Sequence, residues 1–204
     1  MSALPLRTRY PAAWVAAAAA AATATAAILA SCAGQRDHFY ALTTLPESVP
    51  AAAATFTTHV MLTVSLPPLV DRRQMVIATS SDQLLVLEHE RWAAPLSDLV
   101  SQTLGRDLEQ RRGDVLVADR GFDQPSLAAV KIRVDIVRMS VRTGGNATLE
   151  AHWRIVDARR NIDEIGGETF ESPVAGNDYA AVARAFSNDL SSLADRLAAK
   201  IPAA

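Results

Sequence analysis

Val130, Ile132, Val134 and Ile136 alternate with Lys131, Arg133 and Asp135, and further on Leu149, Ala151, Trp153 and Ile155 alternate with Thr148, Glu150, His152 and Arg154. A period of two puts every apolar side chain of such a stretch on one face of a strand and the polar ones on the other. Thr143-Gly144-Gly145-Asn146, between the two stretches, has the composition of a hairpin turn. Past Ile136 the apolar pattern moves by one residue, to Val137, Met139 and Val141, as a β-bulge produces. With a third strand from about Ile162 to Glu171, after a turn near Asp157 to Asn161, this half of the chain predicts a β-meander with one face to bury.

Two amphipathic segments can bury it. Leu96, Leu99, Val100, Leu104 and Leu108 recur at helical spacing and predict a helix over Pro95–Arg112. Pro95 suits its first position, Gly113 its C-cap, and Arg111 and Arg112 its negative end. Tyr179, Val182, Phe186, Leu190, Leu193 and Leu197 predict a second helix from about Asp178 to Ile201, with Asn177 as N-cap. Ala183 and Ala194 would allow its close approach to a sheet. Shorter strands are expected over Gln35–Thr44, His59–Leu66, Gln74–Thr79, Leu84–His89 and Val115–Ala118, with Pro46–Thr58 as a Pro/Ala/Thr-rich loop. The sum is an α+β, two-layer domain: a mostly antiparallel sheet containing a β-meander, with two amphipathic helices packed on it.

None of this involves the first 31 residues. Arg7 and Arg9 precede an uncharged, alanine-dominated run from Ala12 to Ala30, and no acidic residue occurs before Asp37. A basic start, an apolar stretch and small residues before a processing point make a secretory signal. A membrane span needs about 20 predominantly apolar residues, and this run is nearly that long. Alanine is only weakly lipophilic, however, Thr23 and Thr25 dilute the run, and no basic cluster follows it. The run ends in Leu29-Ala30-Ser31-Cys32, and Cys32 is the only cysteine of the chain. That ending resembles the bacterial lipobox, in which the thiol receives a diacylglycerol and becomes the mature N-terminus. Cys32 is therefore the expected lipid attachment site. Ala33 rather than Asp follows it, which by the enterobacterial sorting rule favours the outer membrane. The expected organisation is a signal peptide at 1–31, a lipidated start with a first short strand and an Ala/Pro-rich loop at 32–58, and the main domain at 59–204. Removing residues 1–31 takes away Arg7 and Arg9, so 20 basic against 22 acidic residues becomes 18 against 22, a net −4. A mildly acidic domain without charge runs argues against a nucleic-acid partner.

The residues suggest no catalytic constellation. His38, His59, His89 and His152 include no pair at metal-ligand spacing, and Cys32 is committed to lipid, so neither metal nor cofactor is expected. No Gly-x-Ser-x-Gly or Ser-x-x-Lys motif occurs. Gly144-Gly145 and Gly166-Gly167 read as turns or bulges, and Asp135, Asp163 and Glu164 as solvated charges. For a partner interface the candidates are Leu84, Leu85 and Leu87, in a segment apolar on both faces, together with Arg91 and Trp92. Packing at the start of the first helix is the competing role for Trp92.

Leu69-Val70-Asp71-Arg72-Arg73-Gln74-Met75-Val76, followed by Arg91-Trp92-Ala93-Ala94-Pro95-Leu96, resembles the paired signature of the ABC-type transport auxiliary lipoproteins (PqiC/YmbA-like), roughly Leu-Asp-Arg-Pro-Gln-Ile-Val and then Arg-Trp-Ala-Glu-Pro-Leu. Phe39-Tyr40-Ala41-Leu42 resembles the family's Tyr-Tyr-x-Leu, and Leu149-Glu150-Ala151-His152-Trp153-Arg154-Ile155 its late strand pair. Arg73 and Ala94 depart from the pattern, which has Pro and often Glu there. The resemblance spans about Cys32 to Ile201. It implies a non-enzymatic lipoprotein on the periplasmic face of the outer membrane that works with an MCE-domain protein and an ABC transporter in moving lipids or other hydrophobic molecules. There it would be a docking or ring-forming component, with self-association into a homo-oligomer. The alternatives are an envelope assembly or integrity lipoprotein unrelated to transport, and a lipid-anchored hydrolase.

Overall fold

In the computed structural model the described residues are 36–44, 56–80, 82–118, 130–142, 144–176 and 178–202. Among them the chain forms β1 (His38–Tyr40), β2 (Thr58–Ser65), β3 (Gln74–Ala78), β4 (Leu84–Trp92), α1 (Leu96–Arg111), β5 (Val115–Ala118), β6 (Val130–Val141), β7 (Asn146–Asp157), β8 (Ile162–Pro173) and α2 (Tyr179–Lys200). The class is α+β, as the periodicities imply. The expected signal segment and Cys32 lie outside the described residues, as does most of the Pro/Ala/Thr-rich loop.

Five strands make one sheet in the order β5-β2-β6-β7-β8 and three make another in the order β1-β4-β3. β6, β7 and β8 are the expected antiparallel meander, paired from Val130↔Asp157 to Asn146↔Pro173. The bulge falls between Ile136 and Arg138. Val137 is the extra residue, and instead of joining Met139 and Val141 on the buried face it points outward. Gly144 supplies the positive φ of the β6–β7 turn, and Asn161 that of the next, where Asp157 Oδ1 accepts the N–H groups of Arg159 and Arg160. β2 pairs parallel to both β5 and β6, and β1 parallel to β4, so both sheets are mixed.

The helices cover one face of the large sheet, α2 against β7 and β8, α1 against β2 and β5. Leu104 and Leu108 of α1 and Leu190, Leu193 and Leu197 of α2 are completely buried. Each such side chain contributes about 1.5–3 kcal/mol of burial. At Gly166 the apolar face is shaped by an absence: a Cβ there would stand 2.6 Å from the Trp153 ring on the neighbouring strand. Three termini differ from expectation. Pro95 is the residue before α1 rather than its first. Arg112 is the C-cap of α1, and Gly113 has no left-handed φ. The cap of α2 is Asp178, whose Oδ1 accepts from Ala181 N–H at 2.6 Å, while Asn177 lies outside the described residues. Arg111 and Arg112 serve the other helix as well as their own. Arg111 donates to Ser191 Oγ and pairs with Asp195; Arg112 donates to the Ala198, Ile201 and Pro202 carbonyls that end α2.

Two acids are buried in the helix layer. Asp107 is fully buried, and neither of its carboxylate oxygens has a hydrogen-bond donor; its nearest cation, the Arg111 Nη1, is 3.7 Å away. Burial pushes it up to about 6 against that attraction. Asp189, equally enclosed, is also pushed up to about 6 by burial, against a hydrogen bond from Ser172. A carboxyl whose folded pKa is raised holds its proton longer in the folded state. It costs stability above about pH 6, on the order of 2–3 kcal/mol at most, and the cost fades as pH falls toward 4. Unfolding in urea should therefore need more denaturant at pH 5.5 than at pH 7.5. In an Asp107→Asn, Asp189→Asn double variant that rise should vanish.

Candidate functional site

The two halves of the signature segment, some twenty residues apart in sequence, meet in space. Trp92 N–H donates to Arg73 O at 2.6 Å, and Gln74 pairs with Arg91. Asp71 Oδ1 accepts the N–H of Ser97 at 3.0 Å, so a carboxylate from the first half satisfies a free amide in the first turn of α1. Trp92 is 3% exposed and packs its ring on Phe186 of α2, centroids 6.5 Å apart and tilted by 56°. It is a core residue at the helix start, and its burial removes it from the candidate interface.

The same junction holds β1. Ala93 N–H donates to Tyr40 O, Thr43 N–H to Ser187 Oγ, and Leu42 is in the core. Around β1 lies a group of charges that sequence spacing concealed. His38 Nδ1 is 3.0 Å from Glu90 Oε1, Tyr40 Oη donates to Glu90 Oε2 at 2.6 Å, and His89 Nδ1 is 2.9 Å from Asp37 Oδ1, with Arg91 nearby. The bond to His89 holds Asp37 below the usual carboxylate range. Burial raises Glu90, but the bonds from Tyr40 and His38 outweigh it and leave it lowered. Burial and the Glu90 carboxylate push Tyr40 up to about 12. Residues 52 apart meet here through a parallel pairing with no local signature. Both histidines are engaged with carboxylates, and the arrangement clasps β1 to β4. Among the described residues no group of three or more His, Cys, Asp or Glu is placed to hold a metal.

The leucine candidates fare differently from Trp92. Leu84 and Leu85, at the start of β4, are 44% and 47% exposed, whereas Leu87 is half-buried against the core and Arg91 is half-buried beside Asp37. Leu84 forms the rim of an apolar cleft of about 220 Å³ between the β3–β4 hairpin and the bulged half of β6. Leu69, Val70, Val76, Val137 and Met139 line it, and Leu69 and Val137 are themselves exposed. Enclosed ligand sites usually offer about 300–1,000 Å³ and several convergent polar groups. This cleft is smaller and nearly all apolar, which suits an inserted side chain of another protein. Arg138, also on its wall, is paired with Glu150.

The sequence pattern of the ABC-type transport auxiliary lipoprotein components matches residues 40–198. The chain belongs to that family. The family is one of transport auxiliary lipoproteins of the bacterial envelope and is not a class of enzymes. The fold has solved counterparts. The protein XCC0632 from Xanthomonas campestris superposes with a TM-score of 0.63 at 21% identity, over 79% of this chain and 92% of that one. A crystal structure of an uncharacterized protein gives 0.66 at 16% identity, over 82% and 100%. No curated protein matches the sequence. No helix among the described residues is long and apolar enough to cross a membrane.

Within this auxiliary lipoprotein the signature residues and the exposed leucines should separate in experiment. Trp92→Ala should cost about 3–5 kcal/mol of unfolding free energy. Asp71→Ala should cost about 1 kcal/mol through the lost contact at the start of α1. Leu84→Ala and Leu85→Ala should stay within about 0.5 kcal/mol. Chemical denaturation of the four variants checks all three statements.

Proposed function

We propose that the chain is exported, acylated at Cys32 and held on the periplasmic face of the outer membrane, where it serves as a non-catalytic docking or ring-forming component of an MCE/ABC-type system that moves lipids or similar hydrophobic molecules. The family membership supports the transport role. Leu29-Ala30-Ser31-Cys32 after an uncharged run, followed by Ala33, supports the anchor and its membrane. One structural observation carries the docking function: the apolar cleft opens to solvent with three exposed apolar side chains, Leu69, Leu84 and Val137, clustered around it. Such a patch on a small domain marks a protein contact. The partner is an MCE-domain protein, and a second copy of this chain is the other protein that the same surface would accept.

Affinity purification of the tagged lipoprotein from detergent-solubilised envelopes should recover an MCE-domain protein. Leu69→Glu combined with Val137→Glu should abolish that recovery while leaving the unfolding midpoint nearly unchanged. Recovery undiminished by the double variant would remove the cleft from the interface, and no MCE protein in the wild-type sample would remove the partner.

A further inference from the structure

β6 has two strand partners for only half of its length. β2 pairs with it from Val60↔Val130 to Ser65↔Asp135 and then turns away at Pro67. From Ile136 to Val141 the ladder to β7 continues, but no strand pairs with β6 on the side that β2 has left. β3 packs there, yet its one ladder is with β4. Among the described residues the backbone groups along this edge of β6 therefore have no ladder partner. The apolar cleft follows the edge and does not end at Val141. A second cavity, polar and of about 370 Å³, shares Ala78, Ser140 and Val141 with the cleft and continues it to the β6–β7 turn. Arg142, Gly145, Asn146, Thr148 and Glu171 complete its lining. The two cavities form one groove, apolar at Leu69 and Val137 and polar at Arg142.

The charges along the groove are not equivalent. Arg138 pairs with Glu150 at 3.2 Å, as Arg133 of the same strand pairs with Asp135. Glu171 stands on β8, two strands away from β6, and accepts from Asn146 Nδ2 at 3.4 Å. Arg142 is exposed and forms no ion pair among the described residues. On the docking role proposed for the cleft, we infer that the partner protein docks through an extended segment. This segment lies along the open edge of β6, puts an apolar side chain into the cleft and brings a carboxylate to Arg142. From Val137 to Arg142 is five residues, about 17 Å at roughly 3.3 Å per residue, so the segment is about six residues long. Edge addition takes its affinity from main-chain hydrogen bonds and its specificity from pockets for alternate side chains. A helix would cover the cleft, but its backbone groups are bonded internally and would leave the edge unpaired.

The test titrates the full acylated lipoprotein, in detergent, against the co-purified MCE-domain protein. Arg142→Ala should weaken binding about fivefold, as loss of a good exposed ion pair does, and Arg142→Glu should weaken it further. Neither should move the unfolding midpoint, because the Arg142 side chain is exposed. Wild-type affinity should fall as NaCl rises from about 50 to about 500 mM. Arg142→Ala should lose most of that dependence and Arg142→Lys should keep it. Complex formation should also slow amide exchange within Ile136–Val141. If the Arg142 variants bind like wild type while Leu69→Glu with Val137→Glu abolishes binding, the carboxylate contact is wrong and the docking role stands. Exchange at Ile136–Val141 that is unchanged in a fully formed complex would overturn the extended segment. A shift in the lipoprotein's own oligomer size on Arg142→Glu, with MCE binding intact, would assign the groove to a second copy and overturn the inference. Binding indifferent to all of these variants would remove the docking role and this inference with it.

Discussion

Val60, Ile132, Val134, Leu149, Ala151 and Ile155 line a single face of the five-stranded sheet and are almost wholly inaccessible. Leaving such a face in water would cost on the order of 1.5–3 kcal/mol for each large side chain, so the two helices have to lie across it. α2 covers the meander and α1 the parallel strands; Arg111 and Arg112 tie them together where their ends meet. The remaining architecture follows from what is left over. β3 and β4 lie in the connection between β2 and α1 and have no helix of their own. They lean on the bulged half of β6 and, through Trp92, on α2. Their far end is covered by nothing among the described residues. Leu69, Leu84 and Leu85 are exposed at this end, whereas Met75, Ile77 and Trp92 of the same two strands are in the core.

What could be read in advance was what is local. The meander, its bulge and both helices announce themselves through periods of 2 and 3.6, because the same side chains that set the period also set the buried face. Val137 shows the limit: the shift of pattern revealed a bulge, but which residue is extruded depends on the register against β7. The start of α2 differs by a residue because Asp178 and Asn177 are both competent caps by composition, and it is Asp178 that accepts the Ala181 N–H. The parallel pairings of β1 with β4 and of β2 with β5 and β6 join distant segments and leave no trace in local pattern. The His38–Glu90 and Asp37–His89 clasp was hidden for the same reason. In the candidate site, a run apolar on both faces fits full burial as well as a half-buried strand, and Leu84 and Leu85 are exposed while Leu87 is half-buried. Tryptophan beside arginine did not foretell a surface role for Trp92, since the same residue type fills cores and interfaces alike.

The signature segments thereby acquire a physical meaning distinct from recognition. Asp71 satisfies an amide at the start of α1, Arg73 and Gln74 pair with Trp92 and Arg91, and Trp92 fills the space against Phe186. These residues set the angle at which the small sheet and the first helix leave the core. Identifying the family through them identifies the scaffold. The proposed docking surface, the cleft, is rimmed by Leu69, Val137 and Leu84, whose side chains the scaffold presents but does not need.

On the proposed anchoring, that scaffold is also what bears load. A pull from lipid enters the domain at Asp37, ahead of a strand with only three paired residues. The pull is directed away from Trp92, while β4 is held from its Trp92 end by α1. The two parallel strands are thus loaded from opposite ends, so their contacts shear together instead of opening one at a time. Behind them Leu42 is buried in the core and Thr43 is bonded to Ser187 on α2, next to the Trp92–Phe186 pair. Freeing β1 therefore means disturbing the cluster on which both helices depend, and a strand this short can secure the domain because its neighbours in space belong to the core.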